Sequence, residues 1–240
     1  MHITSRLRYL NRILMFIHLK NIDSTNNYIE KNPFPPGTIV WADSQTAGRG
    51  RGDHKFSSPA GGIYFSCLFK EGKETEKGYL LPHDAILLTP KAAVAVCSAL
   101  EEICGLKPGI KWVNDILLDG KKVCGILCEH MRDKYIVGIG INTSSSALPE
   151  ELKAIAGDIG EAPRKELVKS IAKKLFDPRD DETVVSEYST RLSTLDKKVS
   201  FLYNGKEMTG TVTGINKYCN LIINTGSAEI TLSSGEIRMI

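Results

Sequence analysis

Residues 38–70 read TIVWADSQTAGRGRGDHKFSSPAGGIYFSCLFK. Both ends, TIVWAD at 38–43 and GIYFSCLFK at 62–70, are apolar and rich in β-branched or aromatic residues, so each predicts a strand. Between them, QTAGRGRGDHKFSSPAG at 45–61 places Arg49 and Arg51 among Gly48, Gly50 and Gly52. Glycine lets backbone come close to a ligand, and guanidinium groups among exposed N–H groups suit a carboxylate or phosphate. A loop held between two strands is a position where a rigid scaffold carries binding residues. Taken alone, the stretch reads equally well as a Gly/Arg-rich surface loop or a nucleic-acid contact.

Upstream, FIHLKNI at 16–22 predicts a strand, and DSTN at 23–26 a turn and helix N-cap before a short helix that PFPPG at 33–37 ends. Downstream, LLTPKAAVAVCSALEEICG at 87–105 has helical spacing. Its stripe of Ala92, Val96, Ala99 and Ile103 reads as core contact that backs a sheet. In GIKWVNDILLDGKKVCGILCEH, residues 109–130, Asp119-Gly120 predicts a two-residue hairpin. Strand alternation then puts Lys122 on one face with Cys124, Ile126 and Cys128, either as a solvated strand end or as an ammonium group aimed at a buried anion. Asn114 and Asp115 offer oxygens that suit a magnesium-bound phosphate as well as a plain turn. In YIVGIGIN at 135–142, Gly138 and Gly140 thin the side-chain layer for a ligand or mark a bulged core strand, and Asn142 follows at the strand exit.

RKELVKSIAKKLF at 164–176 predicts a basic amphipathic helix, and TVVSEYSTRLSTL at 183–195 another after the break at DPRDDE. From Lys197 the pattern alternates, with turns at Asn204-Gly205 and Thr225-Gly226, which predicts a small β-barrel. The expected organisation is α+β: an extension over 1–14 that is either frayed or a mis-called start with Met15 as the true initiator, a main domain over 15–195, and a β-barrel domain over 196–240. The 240 residues, 42% hydrophobic and 25% charged with net charge +3, describe an ordinary soluble globular chain. That charge does not demand a nucleic-acid partner, and no run approaches the roughly 18 apolar residues of a membrane span. Six cysteines without a CxxC pair fit a reducing cytoplasm, and Cys128 with His130 reads as strand residues ahead of a metal or nucleophile site.

The ordered set DSTN, SQTAGRGRG with KFSSPAGG, KWVNDILLDGKKVCGILCE and GIGIN resembles the biotin protein ligases, strongly over about residues 16–142 and weakly to the C-terminus. The resemblance implies a central mixed β-sheet backed by helices, of the class II synthetase-like, biotin/lipoate ligase type. It also implies a reaction in which biotin and ATP give biotinyl-adenylate and pyrophosphate, after which a lysine of a biotin carboxyl carrier domain takes the biotin and AMP leaves. By the same resemblance Ser24, Thr25, Asn26 and Gln45 bind the biotin ring, and Arg49, Gly50 and Arg51 wrap its carboxylate and the adenylate phosphate. Lys122 is the chief catalytic cation, with Arg49 and Arg51 beside it; Asn114, Phe56 and Asn142 meet the nucleotide, and Asp115 meets magnesium. The strands with GIYFS and CGIL are expected to wall the ligand. Where the family reads GRGRRGRxW, this chain has Gly52, Asp53, His54 and Phe56, which puts tight closure over the intermediate in question. Val113 replaces the proline of KWPND. Rival readings are a lipoate ligase or transferase of the same superfamily and a nucleic-acid-binding module; residues 1–14 are too short for the DNA-binding domain of a repressor. A homodimer is compatible, and neither DNA nor a membrane is an expected partner.

Overall fold

The computed structural model describes residues 14–72, 79–80, 84–144 and 148–240. Residues 1–13 of the expected extension therefore lie outside the described residues. Strand β1 (Met15–Ile22) leads into helix α1 (Thr25–Lys31). Ser24 begins that helix: its backbone is extended and its Oγ accepts the Asn27 N–H at 3.5 Å. Strands β2 (Thr38–Gln45) and β3 (Ile63–Glu71) flank the Gly/Arg loop. After β4 (Tyr79–Leu80) come helix α2 (Leu88–Cys104), then β5 (Gly109–Lys111), β6 (Asp115–Leu118), β7 (Lys121–Met131) and β8 (Lys134–Ile141).

Among the described residues these strands form one sheet in the order β1-β2-β3-β8-β7-β6-β5, with β4 on β3. It is mixed, because β1 runs parallel to β2 and β4 to β3 while the other neighbours are antiparallel. Helices α2, α3 (Arg164–Phe176) and α4 (Asp181–Thr190) pack together behind it, and α1 covers β2, β3 and β8 in front. Strand β3 is consequently buried over most of its length, with Phe65 and Cys67 in the large core beside Ala92, Val96 and Ala99, and Leu68 in the small core under α1 with Ile29 and Val40.

The helix expected over 183–195 is shorter, and the reason lies at both ends. Asp180 accepts the Thr183 N–H at 2.7 Å and starts it at Asp181. Past Thr190 the chain is drawn alongside β5, where the Ile110 N–H donates to the Arg191 carbonyl at 2.7 Å and the Ser193 N–H to the Ile110 carbonyl at 2.9 Å.

The hairpin at Asp119-Gly120 forms with φ of 50° and 78°, the double positive φ of a type I′ turn. One consequence drawn from simple alternation is overturned. Ile116 pairs with Cys124 but Leu117 pairs with Lys122, so Val123 is an extra residue in β7. This bulge turns Lys122 away from the face of Cys124, Ile126 and Cys128, and its Cε would lie 3.3 Å from a Cβ on Gly125. Val123 and Cys124 both go into the core, leaving Lys122 on the front of the sheet.

The C-terminal strands β9 (Lys198–Tyr203), β10 (Lys206–Ile215), β11 (Leu221–Asn224), β12 (Glu229–Leu232) and β13 (Ile237–Met239) make a second, antiparallel sheet in the order β12-β11-β10-β9-β13. The small β-structure is present, but its outer strands β12 and β13 do not pair with each other, so it is an open sheet and not a closed barrel. Val199, Phe201, Val212 and Leu221 continue the main core, and the Trp112 indole donates to the Cys219 carbonyl at 2.8 Å.

Candidate active site

The front of β7 and β8, the N-terminus of α1, the Gly/Arg loop and the end of the C-terminal sheet enclose a cleft of about 400 Å³. The residues that the resemblance assigns to ligand contacts by number line it: Ser24, Thr25, Asn26, Gln45, Arg49, Gly50, Arg51, Phe56, Asn114, Asp115, Lys122 and Asn142. They fall into distinct regions.

At one end, α1 presents buried polar groups already bonded to one another. Gln45 Oε1 accepts the Thr25 N–H at 2.9 Å and the Thr25 hydroxyl at 3.1 Å, while Gln45 Nε2 donates to Ser58 Oγ at 2.9 Å. Ser58 Oγ donates to the Phe56 carbonyl at 3.0 Å. Ser66, from β3, lies 2.7 Å from Thr25 Oγ1 and also bonds Asn26 Oδ1. Just before the helix, the Asp23 carboxylate accepts the Ser24 N–H, which holds it below the usual carboxylate range.

The cations follow along the cleft, Arg49 beside α1 and Lys122 and Arg51 towards the other end. The Lys122 ammonium donates to Asp115 Oδ1 at 2.7 Å and stands 6.0 Å from the Phe56 ring centroid. Arg49 pairs with Glu129 at 2.6 Å and donates to Asn27 Oδ1 at 3.0 Å. Arg51 donates to Asn114 Oδ1 at 3.4 Å and to the Gly235 carbonyl of the C-terminal sheet at 3.0 Å. Both arginines thus have their donors turned to the cleft and its walls, which sets them apart from a solvated nucleic-acid tail. Asn142 donates to the Gly157 carbonyl at 3.0 Å, but its buried Oδ1 has no hydrogen-bond partner. An unsatisfied buried acceptor on a cleft wall is suited to an N–H of a ligand.

The floor between the ends is made by glycine. A Cβ on Gly140 would come within 2.4 Å of the Phe56 ring and one on Gly125 within 2.9 Å, so Phe56 lies directly on backbone. Gly138 is equally constrained by Asn26, whose Oδ1 would be 2.4 Å from a Cβ there. The loop turns back through Arg51–His54 with Gly52 at φ 57°, and the exposed His54 reaches Glu236 at 3.3 Å. The departures at Gly52, Asp53 and His54 are therefore the tip of a turn beside the C-terminal sheet, and Gly52 meets a backbone requirement.

The wall expected from GIYFS is built differently. Tyr64 and Ser66 support Phe56 and Asn26 from beneath and do not line the cleft, while Ile126 and Leu127 do, together with Trp112, Leu148, Leu152 and Ile155. Sequence reasoning also missed Glu129, Ser58 and Ser66. Their signal is faint, since each acts through a partner distant in the chain. Among the described residues no group of three His, Cys, Asp or Glu could hold a metal ion, and Asp115 is engaged by Lys122. The cysteines are free, and burial pushes the Cys97 and Cys128 thiols up to about 12, which removes them as nucleophiles. No helix among the described residues is long and apolar enough to cross a membrane.

Comparison with known proteins agrees with this layout. Residues 18–144 match the biotin/lipoate A/B protein ligase family, and residues 194–239 match the biotin protein ligase C terminal domain. The bifunctional ligase/repressor BirA of Bacillus subtilis is 39% identical over 152 residues, which is 60% of this chain and 45% of that protein. A biotin--[acetyl-CoA-carboxylase] ligase of Mycobacterium tuberculosis is 25% identical over 216 residues, 84% of this chain and 78% of that one. The chain thus spans about half the length of curated relatives such as BirA of Bacillus subtilis. Among solved structures, the biotin protein ligase from Aquifex aeolicus in complex with biotin and ATP is similar at a TM-score of 0.81 and 31% identity, covering 95% of this chain and 99% of that one.

Proposed function

The chain belongs to the biotin/lipoate A/B protein ligase family, and from that premise we propose that it is an ATP-dependent biotin protein ligase, which activates biotin as biotinyl-5′-adenylate and passes it to a lysine of a biotin carboxyl carrier domain. The observation that carries this reading is the cleft itself: buried polar groups at one end with Arg49 beside them, Lys122 and Arg51 at the other, and a glycine floor between. A volume of about 400 Å³ suits a bicyclic ring with an acyl tail leading to a nucleotide.

In the first step a biotin carboxylate oxygen attacks the α-phosphorus of ATP, a P–O bond forms, and pyrophosphate leaves. In the second the neutral carrier lysine amine attacks the acyl carbon, the acyl–oxygen bond breaks as the amide forms, AMP carries away the bonding pair, and one amine proton passes to solvent. Both steps gather negative charge among oxygens, so the residues required are donors and cations, and no protein nucleophile is consumed. Ser24, Thr25, Asn26 and Gln45 bind the ureido ring. Arg49 and the Gly50 backbone receive the carboxylate, Arg51 closes over the phosphate, and Lys122 neutralises charge where the anhydride forms. Asn142 Oδ1 is the acceptor for the exocyclic amine of adenine, and Phe56 bounds the same space. Magnesium would arrive as part of the nucleotide substrate, and Asp115 and Asn114 would supply oxygens to it.

The test is to incubate the protein with magnesium, ATP, labelled biotin and a biotin carboxyl carrier domain, and to follow label on the carrier together with AMP and pyrophosphate. Labelled carrier with both products supports the proposal. Transfer of lipoate in place of biotin, or no transfer of either, overturns it.

A further inference from the structure

Glu129 is an acid that the proposed reaction leaves without a task. It stands on the front of β7, its side chain is 14% exposed, and its carboxylate is divided between two residues that line the cleft. Oε2 accepts from Asn26 Nδ2 at 2.7 Å, and Oε1 meets Arg49 at 2.6 Å. Asn26 is itself fixed, since its Oδ1 bonds Ser66 and its amide fills the gap above Gly138. The Glu129 rotamer is thereby set by the end of the cleft that is fully folded in, and Arg49, on a glycine-rich loop, takes its direction from Glu129. The second anchor of Arg49, Asn27 Oδ1 at 3.0 Å, is uncharged and weaker in kind.

We infer that Glu129 is a positioning residue that uses α1 as a fixed reference to aim the Arg49 guanidinium at the carboxylate of the ligand, so that recognition of the ring and recognition of the acid are linked. This rests on the cleft being the biotin site. A carboxylate held by two charge-strengthened hydrogen bonds loses direction when its charge is removed, and Glu129→Gln does this with little change of volume.

The experiment compares the affinity of the full chain for biotin and for biotin carboxamide by calorimetry, in the parent protein, Glu129→Gln, Arg49→Gln and the double variant. Glu129→Gln is expected to weaken biotin about tenfold, the scale of one charge-assisted hydrogen bond, and the neutral amide less than about twofold. Arg49→Gln should erase the preference for the acid, and adding Glu129→Gln to it should change nothing more. Equal weakening of both ligands, or additive effects, would overturn the inference, because a merely structural ion pair behaves that way. Hydrogen exchange in the ligand-free proteins provides a second readout: residues 47–56 should exchange faster in Glu129→Gln, and unchanged exchange there also overturns it. If the parent protein binds neither ligand, the functional reading fails, and the exchange result alone decides whether Glu129 holds the loop.

Discussion

The two ends of the cleft are built on opposite plans. Ser24, Thr25 and Asn26 are 2%, 3% and 4% exposed; Ser24 bonds Asp23 and Asn27, and Thr25 and Asn26 spend their hydrogen bonds on Gln45, Ser66 and Glu129. At the other end Lys122 is 36% exposed and faces the Asp115 carboxylate, and Arg51 donates to Asn114. The first end is part of the folding core, so its geometry exists before a ligand arrives. At the second, partners can be exchanged: a ligand carboxylate or phosphate competes with Asp115 and Asn114 for cations already in place. On the proposed reading, ring recognition is separable from charge stabilisation at Lys122 and Arg51, while Arg49 is joined to the first end through Glu129, and substitutions should show this division.

The largest effect is expected at Lys122. Lys122→Ala should slow adenylate formation by about 10²–10³, the usual loss when one preorganised donor is removed. Stability should stay within about 0.5 kcal/mol, as for surface changes in general. Biotin-dependent exchange of labelled pyrophosphate into ATP measures the first, and urea unfolding the second. A destabilised but chemically competent variant would break the comparison. Arg51→Gly comes next. Its guanidinium bridges Asn114 and the Gly235 carbonyl, so its loss unties the loop from the C-terminal sheet. The expected outcome is adenylate still formed but released, seen as label on bystander proteins; labelling confined to the carrier would remove Arg51 from the closing role.

Much of this arrangement is legible in the chain because its signals are local. Asp119-Gly120 specifies its turn by backbone preference, the helix at 164–176 follows from periodicity, and DSTN announces a cap. What escapes depends on pairing between distant segments. The bulge at Val123 arises from the register of β6 on β7, and no period-two pattern in KKVCGILCE marks it. Glu129 lies 103 residues from Asn26, and Arg51 lies 184 from Gly235, so neither contact leaves a trace in neighbouring residues. The open form of the last sheet is similar: alternation and turns predict its strands, but whether β12 meets β13 is decided by twist and tertiary packing.

Substitution at the other end should show the reverse balance. Thr25→Val keeps the shape but removes the hydroxyl that donates to Gln45 and faces Ser66. Leaving buried polar groups unpaired costs about 1–3 kcal/mol, so unfolding at lower urea and weaker biotin binding should appear together. Adenylate formation at saturating biotin should change far less than for Lys122→Ala. A variant of full stability with impaired chemistry would mean that the two ends are not built differently after all.

The smallest effect belongs to the layer behind the sheet, which neither end touches. Cys97 is buried in α2, and burial raises its thiol from an ordinary 9.0 to about 12. The folded state therefore keeps a proton that the unfolded chain releases near pH 9, and this contribution to stability is complete below that pH and declines as the pH rises towards 12. Between pH 8 and pH 9.5 the loss from this thiol should remain under about 1 kcal/mol. Urea unfolding across that interval, repeated with Cys97→Ala, isolates it: the variant should lose less stability than the parent on going alkaline. Biotin affinity over the same interval should follow only the fraction folded. An alkaline loss of affinity larger than the loss of folded protein would place a titrating group inside the cleft, where none of the buried thiols lies.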